Sequence, residues 1–258
     1  MGTPTRLELI GLQGIGAVHA GDDLGAIVAE SLAATGLSLR DGDVVAVAQK
    51  IVSKSENRYA LLEDVVPSAR ALELATKCDK DPRLVEIVLR ESRKVLRAVP
   101  GVIVVEDNRG LVLANAGVDR SNVDLDESGR ERVLLLPEDP DESAARLRMS
   151  LAARCGADVG VIINDSLGRA WRLGTVGVAI GVAGLPGLHD RRGEADLQGR
   201  PLLITEVGMA DELAAAASAV MGQADEGRPA VLIRGVAWPR RDGNARELQR
   251  PQGKDLFR

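Results

Sequence analysis

Aromatic side chains are scarce in this chain of 258 residues, because Phe, Trp and Tyr together make up only 2% of it. The core must therefore be built from Val, Leu, Ile and Ala, and this scarcity argues against aromatic stacking as the way to hold nucleobases. Positive charge is not in excess either, since 33 Lys and Arg face 38 Asp and Glu, a net charge of −5. This balance argues against a protein that binds nucleic acid by neutralising phosphates.

Cysteine and long apolar runs are also lacking. Cys78 and Cys155 have neither the CxxC spacing of a zinc site nor the density of a disulfide scaffold, so both are expected to be reduced thiols. The amino terminus lacks the apolar run of a signal peptide, and no later stretch has the apolar length of a membrane span. The sequence therefore predicts a cytoplasmic protein that binds neither nucleic acid nor a membrane.

The hydrophobic pattern predicts an irregular order of helices and strands. One helix is expected from Leu24, after the capping residue Asp23, to Gly36, and another from Asp81 to Val99. Further helices are predicted at about 142–155 and 211–221. Strands are predicted at 44–48, 102–106, 111–115, 133–136, 159–163, 202–207 and 230–234, with packed strands within 174–187. This order favours an α+β fold, and 45% hydrophobic residues suffice for one large domain or two intimately packed ones.

The usual nucleotide-binding motifs are missing. Residues 11–16 are rich in glycine but do not have the G-x-G-x-x-G order, and no G-x-x-x-x-G-K-[ST] motif occurs. Any nucleotide site must be built differently, and these glycines also fit a plain loop. Lys50 and Lys54 follow the strand predicted at 44–48, where lysine can meet phosphate as a mobile point charge. A solvated surface segment would explain the two lysines equally well.

Two acidic segments have the composition of a metal site. Asp119 and Asn122 lie beside glycine in residues 115–122, and their oxygen atoms suit Mg2+ or Mn2+, although an Asx-turn uses the same residue types. Asp165 and Ser166 end a predicted buried strand and are followed by two arginines within seven residues. Carboxylate and hydroxyl could hold a metal while the arginines grip phosphate or a substrate carboxylate, with structural salt bridges as the alternative.

Taken in order, these segments resemble the coenzyme F420-0:L-glutamate ligase family, also called F420-0:gamma-glutamyl ligase. The matching segments are GDDL at 21–24, DGDVV at 41–45, IVSKSE at 51–56, ANAGVDRSNV at 114–123, INDSLGRAWR at 163–172, GRPLLITEVGMADELAAAA at 199–217 and VMGQADEG at 220–227. The similarity spans about residues 7–236. The remaining residues, 237–258, form a basic polar tail, for which a flexible or peripheral position is expected.

The resemblance implies two sets of site residues. Nucleotide contacts are implied for Ile15, Gly16, Ala17, Val18, Gln49, Lys50, Lys54 and Asn122, and for a closing loop of Met221, Gly222, Gln223, Ala224, Asp225, Glu226 and Gly227. Metal contacts are implied for Asp119, Asp165, Ser166 and Gln223. The chain departs from the family where Asn164 and Ser166 replace the common threonines, and where Asn57 replaces a glycine. Asn57 tolerates the left-handed conformation, so the turn is expected to survive.

The resemblance also implies an activity, which is the GTP-dependent addition of L-glutamate to F420-0 through an acyl phosphate. It implies Mg2+ or Mn2+, with K+ as a further candidate ion, and a homodimer whose active-site cleft lies near the subunit interface. Arg169 and Arg172 are expected from their chemistry, rather than from the family, to clamp the acidic substrates. The alternatives are another nucleotide-dependent carboxylate–amine ligase and a non-catalytic protein that binds metal or deazaflavin.

Overall fold

The fold is known from a computed structural model that describes residues 6–238 and 241–255. Within these ranges the strands are β1 (Glu8–Gly11), β2 (Val44–Ala48), β3 (Tyr59–Leu61), β4 (Ser92–Val99), β5 (Val102–Asp107), β6 (Val112–Ala114), β7 (Arg132–Leu134), β8 (Gly160–Arg169), β9 (Arg172–Ala183), β10 (His189–Asp190), β11 (Glu206–Val207) and β12 (Ala230–Arg234). The helices are α1 (Leu24–Ala34), α2 (Gln49–Ser55), α3 (Ala69–Cys78), α4 (Pro82–Arg90), α5 (Pro140–Cys155) and α6 (Met209–Met221). Their mixed order confirms the predicted α+β class.

A central sheet of five strands, in the order β1-β12-β2-β8-β9, organises the main lobe. Its β2–β8 pair is parallel, whereas the other neighbouring strands run antiparallel. Successive residues of β2 face opposite sides, so Val45 and Val47 pack with α1 and α5 while Val44 and Ala46 pack with α6. Helices cover both faces of this sheet. A site is therefore expected at its edges, among the loops and the strand ends.

A second lobe is formed by the three-stranded sheet β4-β5-β6 with α3 and α4 packed on it. A buried ion cluster borders this lobe, in which Arg109 contacts Glu91 at 3.0 Å and the fully buried Asp107 at 2.9 Å. Arg109 also donates through Nε to the Pro137 carbonyl oxygen at 2.7 Å, in the segment that leads into α5. Contacts of Arg109 thus tie the second lobe to the segment that leads into α5.

Helix boundaries follow from local capping chemistry. The Asp23 side chain accepts a hydrogen bond from the Ala26 N–H at 3.0 Å, so α1 begins as predicted. Helix α5 begins with Pro140 after the cap Asp139 and ends at Gly156, whose φ of 69° is the left-handed conformation that glycine adopts readily.

Two predicted elements are wrong. The helix expected from Asp81 to Val99 ends at Arg90, and the rest of that stretch is β4, because the turn at Pro100–Gly101 folds it back against β5. Apolar residues spaced along a short segment fit either period, and only the pairing partner decides between them. The strand expected at 202–207 is reduced to β11, whose two residues pair with β10.

The described part of the basic tail packs against the main lobe, which differs from the flexible or peripheral end expected. Ala245 is buried, and its N–H donates to Asp141 Oδ1 at 2.8 Å. Arg246 Nη2 lies 2.9 Å from Asp139 Oδ2. Arg240 and Arg258, which belong to the predicted tail, lie outside the described residues.

Within residues 6–238 and 241–255, no helix combines the length and apolarity needed to cross a membrane.

Candidate functional site

Loops from four strands of the central sheet meet at one edge. The Leu12 N–H donates to the Ala230 carbonyl oxygen at 2.8 Å, and the Ala48 N–H donates to the Pro229 carbonyl oxygen at 2.8 Å. Because β2 and β8 are parallel and Ala48 pairs with Asn164, the first turn of α2 lies beside the Asp165 region. We call this region the sheet-edge site, formed by residues 12–18, 49–54, 115–122, 164–166 and 222–229.

Lys50 and Asp119 form an ion pair at the sheet-edge site, with 2.8 Å between Nζ and Oδ2. Lys50 Nζ also donates to Ser121 Oγ at 2.8 Å, and Asp119 Oδ1 accepts from the Ser121 N–H and hydroxyl at 2.7 Å each. Burial raises the pKa of Asp119, but the hydrogen bonds from Lys50 and Ser121 outweigh it and hold that pKa below its usual value. Asp119 is therefore ionised at neutral pH, and it orients Lys50.

Asp165 is the second carboxylate of the site. Burial is the main cause that raises its pKa from 3.8 to about 6, and the negative charge of Asp119 adds to the rise. The Ser166 N–H, which donates to Asp165 Oδ1 at 2.8 Å, and the Lys50 charge act in the opposite direction without cancelling it. The carboxylates of Asp119 and Asp165 thus interact electrostatically, and Lys50 is the lysine beside them. When both carboxylates are ionised, one negative charge remains for a bound cation to offset.

The donor set fits a hard divalent cation that also binds substrate. Within the described residues, no three His, Cys, Asp or Glu side chains cluster as a complete metal cage. Mg2+ is commonly held by one or two carboxylates with water and substrate phosphates completing the shell, which matches a pair such as Asp119 and Asp165. Ser166 is exposed beside this pair and can add its hydroxyl or backbone oxygen.

The glycine-rich loop lies next to the lysine-bearing helix. Val18 is buried, and Ile15 packs against the main core, whereas Gly16 and Ala17 are exposed. The Gly21 N–H donates to the Ser55 carbonyl oxygen at 2.8 Å, which ties the end of this loop to the end of α2. Lys54 follows Lys50 by four positions, so both lysines lie on one face of α2.

The predicted closing loop leaves the carboxyl end of α6 through an unusual backbone conformation. Gly222 has φ 78° and ψ −179°, a region that is essentially restricted to glycine. The Ala224 N–H donates to Glu226 Oε2 at 2.9 Å, and Gln223 Nε2 donates to Ser218 Oγ at 2.7 Å. The Gln223 side chain is thus directed back to α6, so its predicted place near a second metal requires the loop to move.

Comparison with known proteins identifies the family. A sequence model of the F420-0:Gamma-glutamyl ligase family matches residues 14–235. This chain belongs to the F420-0:gamma-glutamyl ligase family. The family assignment makes it an enzyme of the ligase class that joins an acid to an amino acid.

Relatives match this F420-0:gamma-glutamyl ligase over nearly its whole length. A Coenzyme F420:L-glutamate ligase of Methanothermobacter thermautotrophicus is 48% identical over 98% of the chain and 99% of its own length. One from Methanopyrus kandleri is 47% identical over 100% of the chain and 99% of its own length. One from Halobacterium salinarum is 42% identical over 92% and 90%, respectively.

Two residues of this family member that the sequence analysis left without a role stand out. Asn164 is 4% exposed, its Nδ2 contacts Met221 Sδ at 3.5 Å, and its Oδ1 has no hydrogen-bond partner among the described residues. Arg228 has a buried Nε that likewise lacks a partner there. Arg228 directly follows the predicted closing loop, which ends at Gly227, but nothing in the sequence distinguishes it from a surface arginine. Buried unpaired groups are costly, so both merit a functional account.

The predicted arginine clamps lie apart from the carboxylates of this ligase chain. Arg169 and Arg172 occupy facing positions of the two strands at the tip of the β8–β9 hairpin, and both are exposed. Four residues of extended strand separate Arg169 from Asp165, roughly 13 Å at 3.3 Å per residue. Trp171 in the turn is 79% exposed and has a φ of 60°, which is rare for a bulky side chain.

Proposed function

We propose that this ligase adds L-glutamate to coenzyme F420-0 in F420 biosynthesis and that it uses GTP to do so. The names of relatives at 42–48% identity support glutamate ligation to coenzyme F420. The observation that carries the proposal is the group formed by Lys50, Asp119 and Asp165 at the sheet edge, beside Lys54 and the glycine-rich loop. Phosphoryl transfer needs this combination of positive charge and acidic metal ligands.

The first half-reaction activates the acid. A carboxylate oxygen of F420-0 attacks the terminal phosphorus of GTP, the bond from that phosphorus to the bridging oxygen breaks, and GDP leaves. Lys50 and Lys54 contact the phosphate oxygens as point charges, while Asp119 keeps Lys50 in place. The exposed backbone at Gly16 and Ala17, together with Gln49 and Asn122, completes the nucleotide contacts, and residues Met221 to Gly227 close over them.

The second half-reaction forms the amide. The glutamate amine attacks the acyl carbon, the bond from that carbon to the phosphate oxygen breaks, and inorganic phosphate leaves. The ammonium proton is lost to solvent, and the product is an amide between F420-0 and glutamate. A second glutamate is added in the same way when the side-chain carboxylate of the first is activated.

Asp119 and Asp165, with an oxygen of Ser166, would hold Mg2+ or Mn2+, and Gln223 would reach a second ion after the loop closes. K+ is a further candidate ion. A bound divalent cation would neutralise charge on the transferring phosphate. The fit rests on the burial of Asp165, which is the main cause of its raised pKa, and on the nearby negative charge of Asp119, which raises that pKa further.

A homodimer fits the exposed apolar residues of the chain. Leu173 on the β8–β9 hairpin is 99% exposed, and Leu203 and Ile204 before β11 are 79% and 86% exposed. Neighbouring exposed apolar residues such as Leu203 and Ile204 are candidates for an interaction surface. In such a dimer the projecting hairpin would carry Arg169 and Arg172 across the interface, where they clamp the acidic substrates.

Oxygen-isotope transfer tests this mechanism. F420-0 labelled with 18O in its reacting carboxylate is incubated with L-glutamate and Mn2+, and either GTP or ATP. The acyl-phosphate route moves one 18O atom into the inorganic phosphate for each amide formed, and turnover is faster with GTP. Amide formation with unlabelled phosphate would contradict the acyl phosphate, and faster turnover with ATP would contradict the nucleotide assignment.

A further inference from the structure

A cavity of about 240 Å³ opens on the second lobe, where α3, α4 and β4 meet. Its lining includes Arg70 from α3, Arg90 from α4, and Arg93 and Lys94 from β4. Glu86 is the single carboxylate among the described lining residues. Four cationic residues thus line one small volume in a chain whose net charge is −5.

The negative charge of Glu86 already interacts with Ser68 and Arg90. Its Oε2 accepts from the Ser68 N–H at 3.0 Å, and its Oε1 accepts from Arg90 Nε at 3.2 Å. Hydrogen bonds from Ser68 hold the pKa of Glu86 below its usual value, so the group stays ionised and offsets Arg90. Arg93 donates to a neutral acceptor, the Asn108 carbonyl oxygen. Arg70, Arg93 and Lys94 therefore bring charge to the cavity that no carboxylate of its described lining balances.

Protection of a sheet edge explains only part of this pattern. β4 is an edge strand, and charged residues on edge strands discourage pairing with other chains. Arg97 lies on the same strand but outside the cavity, so its charge can protect the edge without contributing to the cavity. Arg70 and Arg90, however, come from two helices, so edge protection does not account for the convergence of all four cations on one cavity.

The cavity is distinct from the sheet-edge site. The cavity lies at the carboxyl end of α4. The opposite, amino end of that helix begins after Asp81, which is under the electrostatic influence of Arg120, the residue next to Asp119 in the chain. The nine residues of α4 separate the two ends by roughly 13 Å at 1.5 Å per residue. A molecule in the cavity would therefore not compete directly with the nucleotide.

The size of the cavity limits its occupant. Its volume equals the liquid share of about eight water molecules and is below the roughly 300 Å³ of the smallest typical organic-ligand pockets. Arginine forks match the oxygen geometry of phosphate groups. We propose that this basic cavity binds a compact polyanion of the phosphate class, with several negative charges.

Calorimetric titration with inorganic pyrophosphate tests the proposal on the full chain. Protein and buffer are first freed of divalent cations on a chelating resin, because without such a cation Asp119 and Asp165 make the sheet-edge site less favourable to the probe. The wild-type chain should bind one pyrophosphate, and Arg70→Ala/Lys94→Ala should weaken binding at least ten-fold. Raising the salt concentration should weaken wild-type binding, as expected for ionic contacts.

Arg97→Ala is the matched control, because it removes a cation from the same strand outside the cavity, and it should bind as the wild type does. Circular dichroism verifies that each variant is folded, and Lys94→Glu replaces the double variant if that one does not fold. Absence of wild-type binding, equal binding by the cavity variant, or equal loss in Arg97→Ala would overturn the proposal. Tighter binding of citrate than of pyrophosphate would overturn the choice of phosphate chemistry.

Discussion

At the scale of single residues, Asp165 is a carboxylate whose ionisation is strongly disfavoured by its burial. Its pKa of about 6 in the folded chain exceeds its usual 3.8, so the folded state holds this proton more tightly than the unfolded state does. The free energy of unfolding therefore loses a contribution as pH rises from about 4 to about 6, and the loss persists at neutral pH. A shift of about two units corresponds to roughly 3 kcal/mol.

Asp165→Asn removes this cost in the metal-free enzyme. At pH 7 in EDTA the variant should be more stable than the wild type by about 2 kcal/mol, with the difference shrinking towards pH 4. Urea denaturation at several pH values measures the difference. Asp225→Asn, a change in an exposed loop, is the control and should follow the wild-type curve. Parallel curves for Asp165→Asn and the wild type would show that Asp165 does not titrate as described.

Arg228 carries the buried Nε that lacks a partner among the described residues, and it lies in the loop that enters β12 at the sheet-edge site. A hydrogen bond to a charged group contributes about 1.5–3 kcal/mol, so Arg228→Ala should raise the KM for GTP roughly ten-fold or more. Initial rates at varied GTP concentration measure this, with Arg200→Ala as an exposed-arginine control. An unchanged KM together with a lowered melting temperature would assign Arg228 a structural role instead.

At the scale of elements, the loop after α6 depends on Gly222. A Cβ at this position would lie 2.0 Å from the Glu226 carboxyl carbon, in a backbone conformation that other residues avoid. Gly222→Ala should therefore rearrange the loop and weaken GTP binding at least five-fold, while the melting temperature changes little. Gly227→Ala is the matched control, because its φ of 64° is accessible at a cost of about 1 kcal/mol and its Cβ would meet little. Equal GTP affinity for both variants would exclude the loop from the nucleotide site.

The sequence predicts elements well where local chemistry decides them. Caps set α1 and α5, and the apolar runs of β2 and β12 give their bounds directly. Asn57 has the left-handed φ of 55° expected from its tolerance of that conformation. β4 is not predictable in this way, because its pairing with β5 depends on a turn that follows it.

The site is only partly predictable from the sequence, because its members are far apart along the chain. Patterns place Lys50 and Asp165 at strand ends, but the parallel pairing of β2 with β8 that makes them neighbours follows from the tertiary fold. The contact between Lys50 and Asp119 spans 69 positions and has no local signal. The local pattern at residues 115–122 fits a metal ligand and an Asx-turn alike, and the family resemblance favours the metal ligand for Asp119.

At the scale of the whole molecule, association should depend on the β8–β9 hairpin. Leu173→Asp places a charge where a dimer would bury an apolar side chain, and it should shift the mass from dimer to monomer in light scattering. Met149→Asp, on an exposed face of α5 with 64% of Met149 exposed, is the matched control and should remain dimeric. A monomeric wild type, or a Leu173→Asp dimer as tight as the wild type, would contradict the proposed interface.

The mass of the deazaflavin product shows whether this chain joins glutamate to F420-0 and whether Asp165 is needed for that reaction. Wild type and Asp165→Asn are each incubated with F420-0, L-glutamate, GTP and Mn2+, and the products are analysed by mass spectrometry. The wild-type product should be heavier than F420-0 by one or two glutamyl residues, and Asp165→Asn, although folded, should leave F420-0 unchanged. Unmodified F420-0 after wild-type turnover of GTP, or normal glutamylation by Asp165→Asn, would contradict the proposed function.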